Sequence, residues 1–172
     1  MKKYISMVLF FVPIVLLGQN HMCFHGHPIT GDMTSFIALL KNDGYVPIKK
    51  RYKFRGMKSK TLKGTFWEFP DCHVIVRQPS DYSDVTSVYI HPLNNYVLLA
   101  DLLDSYDAKY GEHEIFYSRV NANAVTYTWN LHEGMIQVIA STIYGQSFDI
   151  IYRDFTEVNM IDSFYGTLDK EL

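Results

Sequence analysis

Apolar residues recur at helical spacing at Met33, Phe36, Ile37 and Leu40, between an Asp32 suited to an N-cap and a Gly44 suited to a left-handed C-cap. This pattern predicts a first helix that Pro47 keeps from continuing. A second stripe runs through Tyr96, Leu99, Leu102, Leu103, Tyr106 and Tyr110. It predicts a helix that starts near Pro92–Asn95 and ends at Gly111, with Asp101, Asp104 and Asp107 on a solvated face. Strand patterns fill much of the rest. Thr61–Phe69, Cys72–Gln78 and Val85–His91 read as strands, with turns at Pro70–Asp71 and Pro79–Ser83. Arg51–Phe54 alternates weakly, and Arg55–Lys60 reads as a loop. Towards the C-terminus, Val125, Tyr127, Trp129 and Leu131 alternate with polar residues, so one face of that strand is expected to be buried. Turns at Glu133–Gly134 and Gly145–Gln146 then lead into strands Met135–Ile143 and Phe148–Arg153.

Each half therefore reads as a helix followed by about three strands. An offset of 62 residues sets Asp32 on Asn94, Trp67 on Trp129, Asp71 on Glu133, Val74 on Ile136, Val76 on Val138 and Val88 on Ile150. The expected fold is α+β, built as two tandem α-β-β-β modules at 20–91 and 92–172 with helices packed on one face of the sheet or sheets. An internal duplication accounts for the shared offset. Two unrelated helix-plus-hairpin units of similar length account for it as well.

The first residues read differently. Lys2 and Lys3 precede a charge-free, mostly apolar run from Tyr4 to Leu17, and Gly18 and Gln19 end it. This is the layout of a secretory signal peptide over 1–19. The run is shorter than the roughly 20 residues of a membrane-spanning helix, and no later segment approaches that length. The expectation is an exported protein of the periplasm, the cell surface or the medium, with no transmembrane segment in the mature chain. Asn20, His21 and Met22 are not the residues that usually precede a lipid-modified cysteine, so Cys23 is not expected to carry lipid.

The chain has 172 residues, of which 48% are hydrophobic and 15% aromatic, which excludes wholesale disorder. Its 16 basic and 18 acidic side chains give a net charge of −2 and no general argument for nucleic acid. That balance hides an asymmetry. Residues 49–63 carry Lys49, Lys50, Arg51, Lys53, Arg55, Lys58, Lys60 and Lys63 without one acid. The patch at Lys49, Lys50, Arg51, Lys53 and Arg55 suits an anionic partner, either an envelope protein or an anionic glycan. A solvated hairpin tip that offsets the acidic remainder is the plainer reading. Tyr52, Phe54 and Phe66 flank these charges in a manner that resembles single-strand nucleic-acid grooves, but export argues against nucleic acid.

His21, Cys23, His25 and His27 alternate, so an extended strand would place four potential zinc or copper ligands on one face. Same-face neighbours lie roughly 6.5–7 Å apart on a strand, too far for all four to reach one ion. His73 and His91 are the further ligands such a site would need. Cys23 and Cys72 are the only cysteines. In an oxidising compartment they either form a disulfide or remain separate thiols. Nucleophile elbows, phosphate-cradling loops, dinucleotide fingerprints and metalloprotease helices are absent from the sequence. No enzyme activity and no cofactor are therefore expected.

Several motifs occur in order: Phe24-x-Gly26-x-Pro28-Ile29 before a helix with Phe36, Leu40 and Gly44, then Leu62-Lys63-Gly64-Thr65-Phe66 with Asp71-Cys72-x-Val74. Leu102, Tyr106 and Tyr110-Gly111 follow, then Trp129, Gly134-x-Ile136-x-Val138 and Ile151-Tyr152-x-Asp154. Over residues 24–154 the chain resembles small, signal-bearing exported proteins of unknown function from Bacteroides-type gut bacteria. That resemblance implies no catalytic or binding residue. The function expected from the sequence is a non-enzymatic binding or interaction module of the cell envelope. The alternative is a metal-binding or scavenging protein that uses the N-terminal His/Cys segment.

Overall fold

A computed structural model describes residues 21–93, 99–117, 123–141 and 147–160. The expected signal segment at 1–19 lies outside the described residues, as do the expected turn at Gly145–Gln146 and, of the helix start expected near Pro92–Asn95, residues 94 and 95; Pro92 itself ends a strand. Helix α1 spans Met33–Asn42 and α2 spans Leu99–Tyr110, and a short α3 covers 155–160. A two-residue hairpin pairs β1 (Cys23–Phe24) with β2 (His27–Pro28). All other strands form one antiparallel sheet: β3 (Val46–Pro47), β4 (Met57–Phe66), β5 (Phe69–Pro79), β6 (Ser87–Pro92), β7 (Glu114–Tyr117), β8 (Ala124–Leu131), β9 (Gly134–Ser141) and β10 (Phe148–Asp154). Their spatial order is β3-β4-β5-β6-β10-β9-β8-β7.

The α+β expectation is thus corrected. The described chain is mostly β, an eight-stranded sheet and a small hairpin with three short helices. Helices α1 and α2 each bury only two side chains, Phe36 and Leu40 from α1 and Leu102 and Tyr106 from α2. A sheet eight strands wide extends nearly 40 Å at about 4.8 Å per strand, more than two short helices can cover. The hairpin residues Phe24 and Ile29 therefore complete the core with them. The units expected at 20–91 and 92–172 contribute adjacent halves of the sheet and meet where β6 pairs with β10.

Asp32 caps α1 as its spacing predicts, its Oδ1 accepting from the Thr34 and Ser35 amides at 2.9 and 3.0 Å. Other boundaries differ. The first long hairpin turns at Trp67–Glu68, and Pro70–Asp71 lies inside β5. Asp107 is not purely solvated. Its carboxylate accepts from the Trp129 indole at 3.0 Å and lies 2.8 Å from His113 Nδ1.

Register divides the sheet's side chains into two faces. Leu62, Val74, Val76, Val88, Ile90, Ile136, Val138 and Ile150 line the apolar face, joined by Trp129 and Tyr152. The opposite face carries His73, Arg77, Ser87, Tyr89, His91, Asp149 and Arg153. Residues 50–56 and α3 lie over part of that polar face. Glu157 of α3 accepts from Arg77 at 3.0 Å, from Thr86 at 2.7 Å, and from Ser87 and Arg153.

Moving 62 residues along the chain carries every β5·β6 partner pair onto a β9·β10 pair. Cys72↔Pro92 falls on Gly134↔Asp154, Val74↔Ile90 on Ile136↔Tyr152, and Val76↔Val88 on Val138↔Ile150. The correspondence ends at the tryptophans. Trp129 is buried within β8, whereas Trp67 stands in the β4–β5 turn, 40% exposed. A register shift between Gly64 and Phe66 and a longer β5 separate the two hairpins at that point.

Candidate functional site: an aromatic cleft

A cavity of about 790 Å3 opens between the β1–β2 hairpin, the β4–β5 turn and α2. Small-molecule sites generally measure about 300–1,000 Å3. Phe24, Phe66, Trp67, Tyr106, Tyr110 and Tyr152 supply rings to the wall, and His21, Cys23, His25, Lys109 and Glu133 supply polar groups. Phe24 and Phe66 stack at 5.5 Å and Tyr152 meets Phe24 edge-on at 5.7 Å, which fixes the floor. The Tyr106 and Tyr152 hydroxyls share a hydrogen bond of 2.7 Å. Burial raises both phenols well above their ordinary value, so this polar spot stays uncharged.

Two strained turns shape the mouth. His25 and Gly26, with φ of 51° and 77°, form a two-residue turn between the paired Phe24 and His27. Both are left-handed, as the right-handed twist of a tight hairpin requires. Trp67, with φ of 50°, holds the same backbone region in the turn between the paired Phe66 and Phe69. Among the described residues these are the non-glycine side chains at positive φ, and both line the cleft. Such conformations cost of order 1–3 kcal/mol and concentrate at binding and catalytic sites.

The N-terminal His/Cys residues do not share a face, because the chain turns back between them. His21 Nδ1 lies 3.0 Å from the buried Asp154 carboxylate, His25 Nε2 2.8 Å from the Tyr45 hydroxyl, and His27 Nε2 2.8 Å from Asp43. Cys23 Sγ is 3.6 Å from the His21 carbonyl, not from an imidazole. Among the described residues no three His, Cys, Asp or Glu side chains gather in a way that would hold a metal ion. His73 and His91 meet each other as cross-strand partners on the opposite face of the sheet, their rings 6.3 Å apart. Tyr52 bonds His73 Nδ1 at 2.7 Å, and Asp149 lies 2.7 Å from His91 Nδ1. Cys23 and Cys72 are free thiols, one exposed and one buried. Burial pushes the Cys72 thiol up to about 11.

Lys49, Lys50, Arg51, Lys53 and Arg55 are all exposed in the segment between β3 and β4, while Tyr52 and Phe54 turn toward the sheet. The cleft residues Trp67, Lys109, Tyr110 and Glu133 carried no signal of their own. Tyr106 and Tyr110 read as an ordinary helix stripe, and nothing in Phe66-Trp67-Glu68-Phe69 marks a turn. No described helix is long and apolar enough to cross a membrane. Comparison with known proteins finds no matching family model, no matching curated protein and no matching solved structure.

Proposed function

We propose that the protein is an exported, non-enzymatic binding module that takes a small amphipathic ring compound into the aromatic cleft. The observation that carries this reading is the cleft's construction, a ligand-sized cavity with both of the described positive-φ non-glycine residues at its mouth. Rings at Trp67 and Tyr110 offer flat apolar surface. Lys109, Glu133 and the neutral Tyr106–Tyr152 pair offer orienting polar groups. Metal scavenging, the other reading of the N-terminal segment, has less support because its three imidazoles take three separate partners.

The test uses the amphipathic fluorophore 8-anilinonaphthalene-1-sulfonate with the full chain. Trp67 is exposed and Trp129 is buried, so acrylamide quenching reports almost only on Trp67. Saturable binding that shields Trp67 and weakens in Tyr110→Ala is expected. Unsaturable binding, or binding indifferent to Tyr110→Ala, overturns the reading.

A further inference from the structure

Residues Lys49–Arg55 lie between β3 and β4 without belonging to any helix or strand, and from Arg51 to Arg55 their exposure alternates as a strand's does. Lys49, Lys50, Arg51, Lys53 and Arg55 are exposed, and Tyr52 and Phe54 are half-buried. Tyr52 bonds His73 at 2.7 Å and packs 6.0 Å from His91, at one level of the β5·β6 ladder. The Phe54 ring lies 5.7 Å from Tyr89 and 4.9 Å from the Arg77 guanidinium, at the next two levels. The segment thus advances along β5 at about the pace of an extended chain. Outward side chains two residues apart are then about 6.5–7 Å from one another, so Arg51 and Lys53 stand at that spacing, with Lys49 in the bend before them and Arg55 in the turn after them.

No described carboxylate lies within ion-pair distance of Lys49, Lys50, Arg51, Lys53 or Arg55. The carbonyls of Tyr52 and Phe54 accept from Ser59 Oγ and the Met57 amide, on the β4 side. In an extended chain the main-chain groups of Arg51 and Lys53 then point the other way, and among the described residues they have no partner.

We propose that this stretch docks an extended acidic polypeptide segment, with carboxylates at every second residue, laid alongside 49–55 as an added strand. The two chains share a two-residue period, so Arg51 and Lys53 each meet one carboxylate, and the free backbone groups of the same two residues pair with the incoming strand. A single-stranded nucleic acid fits less well, because Tyr52 and Phe54 are turned inward and leave no ring for bases to stack on. An anionic glycan would satisfy the charges but not the backbone groups. The stretch is on the face opposite the cleft, so this inference does not depend on the cleft's role.

The test is fluorescence anisotropy with the full chain and a labelled peptide of alternating Glu and Thr. Comparison ligands are a peptide of the same composition with its Glu residues contiguous, and a heparin fragment of matched charge. The alternating peptide is expected to bind about tenfold tighter than either, and to weaken as salt rises. Joint reversal by Arg51→Glu and Lys53→Glu should abolish binding. The same charge change at Lys58 and Lys60 on β4 should alter it by less than about twofold. Equal binding of the contiguous peptide or heparin overturns the proposal. So does an absence of binding at low salt, or equal damage from the Lys58 and Lys60 reversals.

Discussion

The ring of Tyr45 rests on the bare α-carbon of Gly64, in space that a Cβ there would occupy. The Tyr45 hydroxyl donates to the Thr65 carbonyl at 2.7 Å. With its one proton committed, it accepts from His25 Nε2–H at 2.8 Å. One side chain thus ties β4 to the turn that forms the cleft's mouth. Gly64→Ala displaces this ring and is expected to cost about 1–3 kcal/mol in urea unfolding. Tyr45→Phe keeps the ring and loses only the hydroxyl's bonds, at about 1 kcal/mol. Both should loosen fluorophore binding in the cleft, and unchanged stability in Gly64→Ala would contradict the packing described.

Trp67 links strain to binding. At φ of 50° its backbone suits asparagine or glycine better than tryptophan. Trp67→Asn is therefore expected to leave stability unchanged or raise it by up to about 1 kcal/mol, while binding in the cleft falls. Differential scanning calorimetry and fluorophore titration on the same sample separate the two effects. Loss of stability without loss of binding would assign Trp67 a purely structural role.

Arg77 and Glu157 form a buried pair that fastens α3 to the polar face, with both side chains less than a tenth exposed. Burial alone would raise the Glu157 carboxyl, but Arg77, Arg153 and the Ser87 and Thr86 hydroxyls outweigh it and hold the group below its ordinary range. Glu157→Ala leaves Arg77 uncompensated and is expected to cost about 3–5 kcal/mol. Arg77→Met combined with Glu157→Leu should cost less than either single loss of charge. Chemical denaturation of Glu157→Ala, Arg77→Met and the double variant tests that order.

Two histidines make folding sensitive to mild acid. Burial lowers the pKa of His25, with Asp43 opposing and His27 adding to the effect. Burial also lowers that of His73, helped by Lys50, His91 and Lys63 and opposed by Asp71. Below the ordinary value of 6.5 the unfolded chain binds protons that these folded imidazoles refuse. Stability therefore rises with pH through this window and declines as pH falls below about 6.5. The urea midpoint should drop between about pH 7.5 and 5.5, and the drop should shrink in a His25→Asn, His73→Asn double variant. Glu157 acts at lower pH, its contribution being lost only as pH falls below its ordinary 4.5 and through its depressed folded value.

The cysteines give a direct check on the hairpin. Cys23 is exposed, and Cys72 is fully buried with a raised pKa. One thiol should react with Ellman's reagent in the native protein and the second only on unfolding. Two thiols reacting at equal rates would contradict the burial of Cys72.

Local patterns determined what local physics governs. The Asp32 cap with Phe36 and Leu40 predicts α1, and alternation through Trp129 predicts a strand with one buried face. The short apolar runs Val74–Val76 and Ile150–Tyr152 likewise predict strands, and both are buried on the two faces of the sheet. These follow from side-chain periodicity and capping, which act within a few residues. The tertiary structure decided how the strands join. Only long-range pairing sets β6 beside β10 and merges two expected modules into one sheet, and that leaves helices as the minor component. The hairpin turn at His25–Gly26 directs His21, His25 and His27 to three partners distant in sequence. The cleft is nonlocal as well, with Phe24, Trp67, Tyr106 and Tyr152 drawn from four separate elements. No sequence period encodes their meeting, because it depends on which surfaces the completed sheet leaves to be covered.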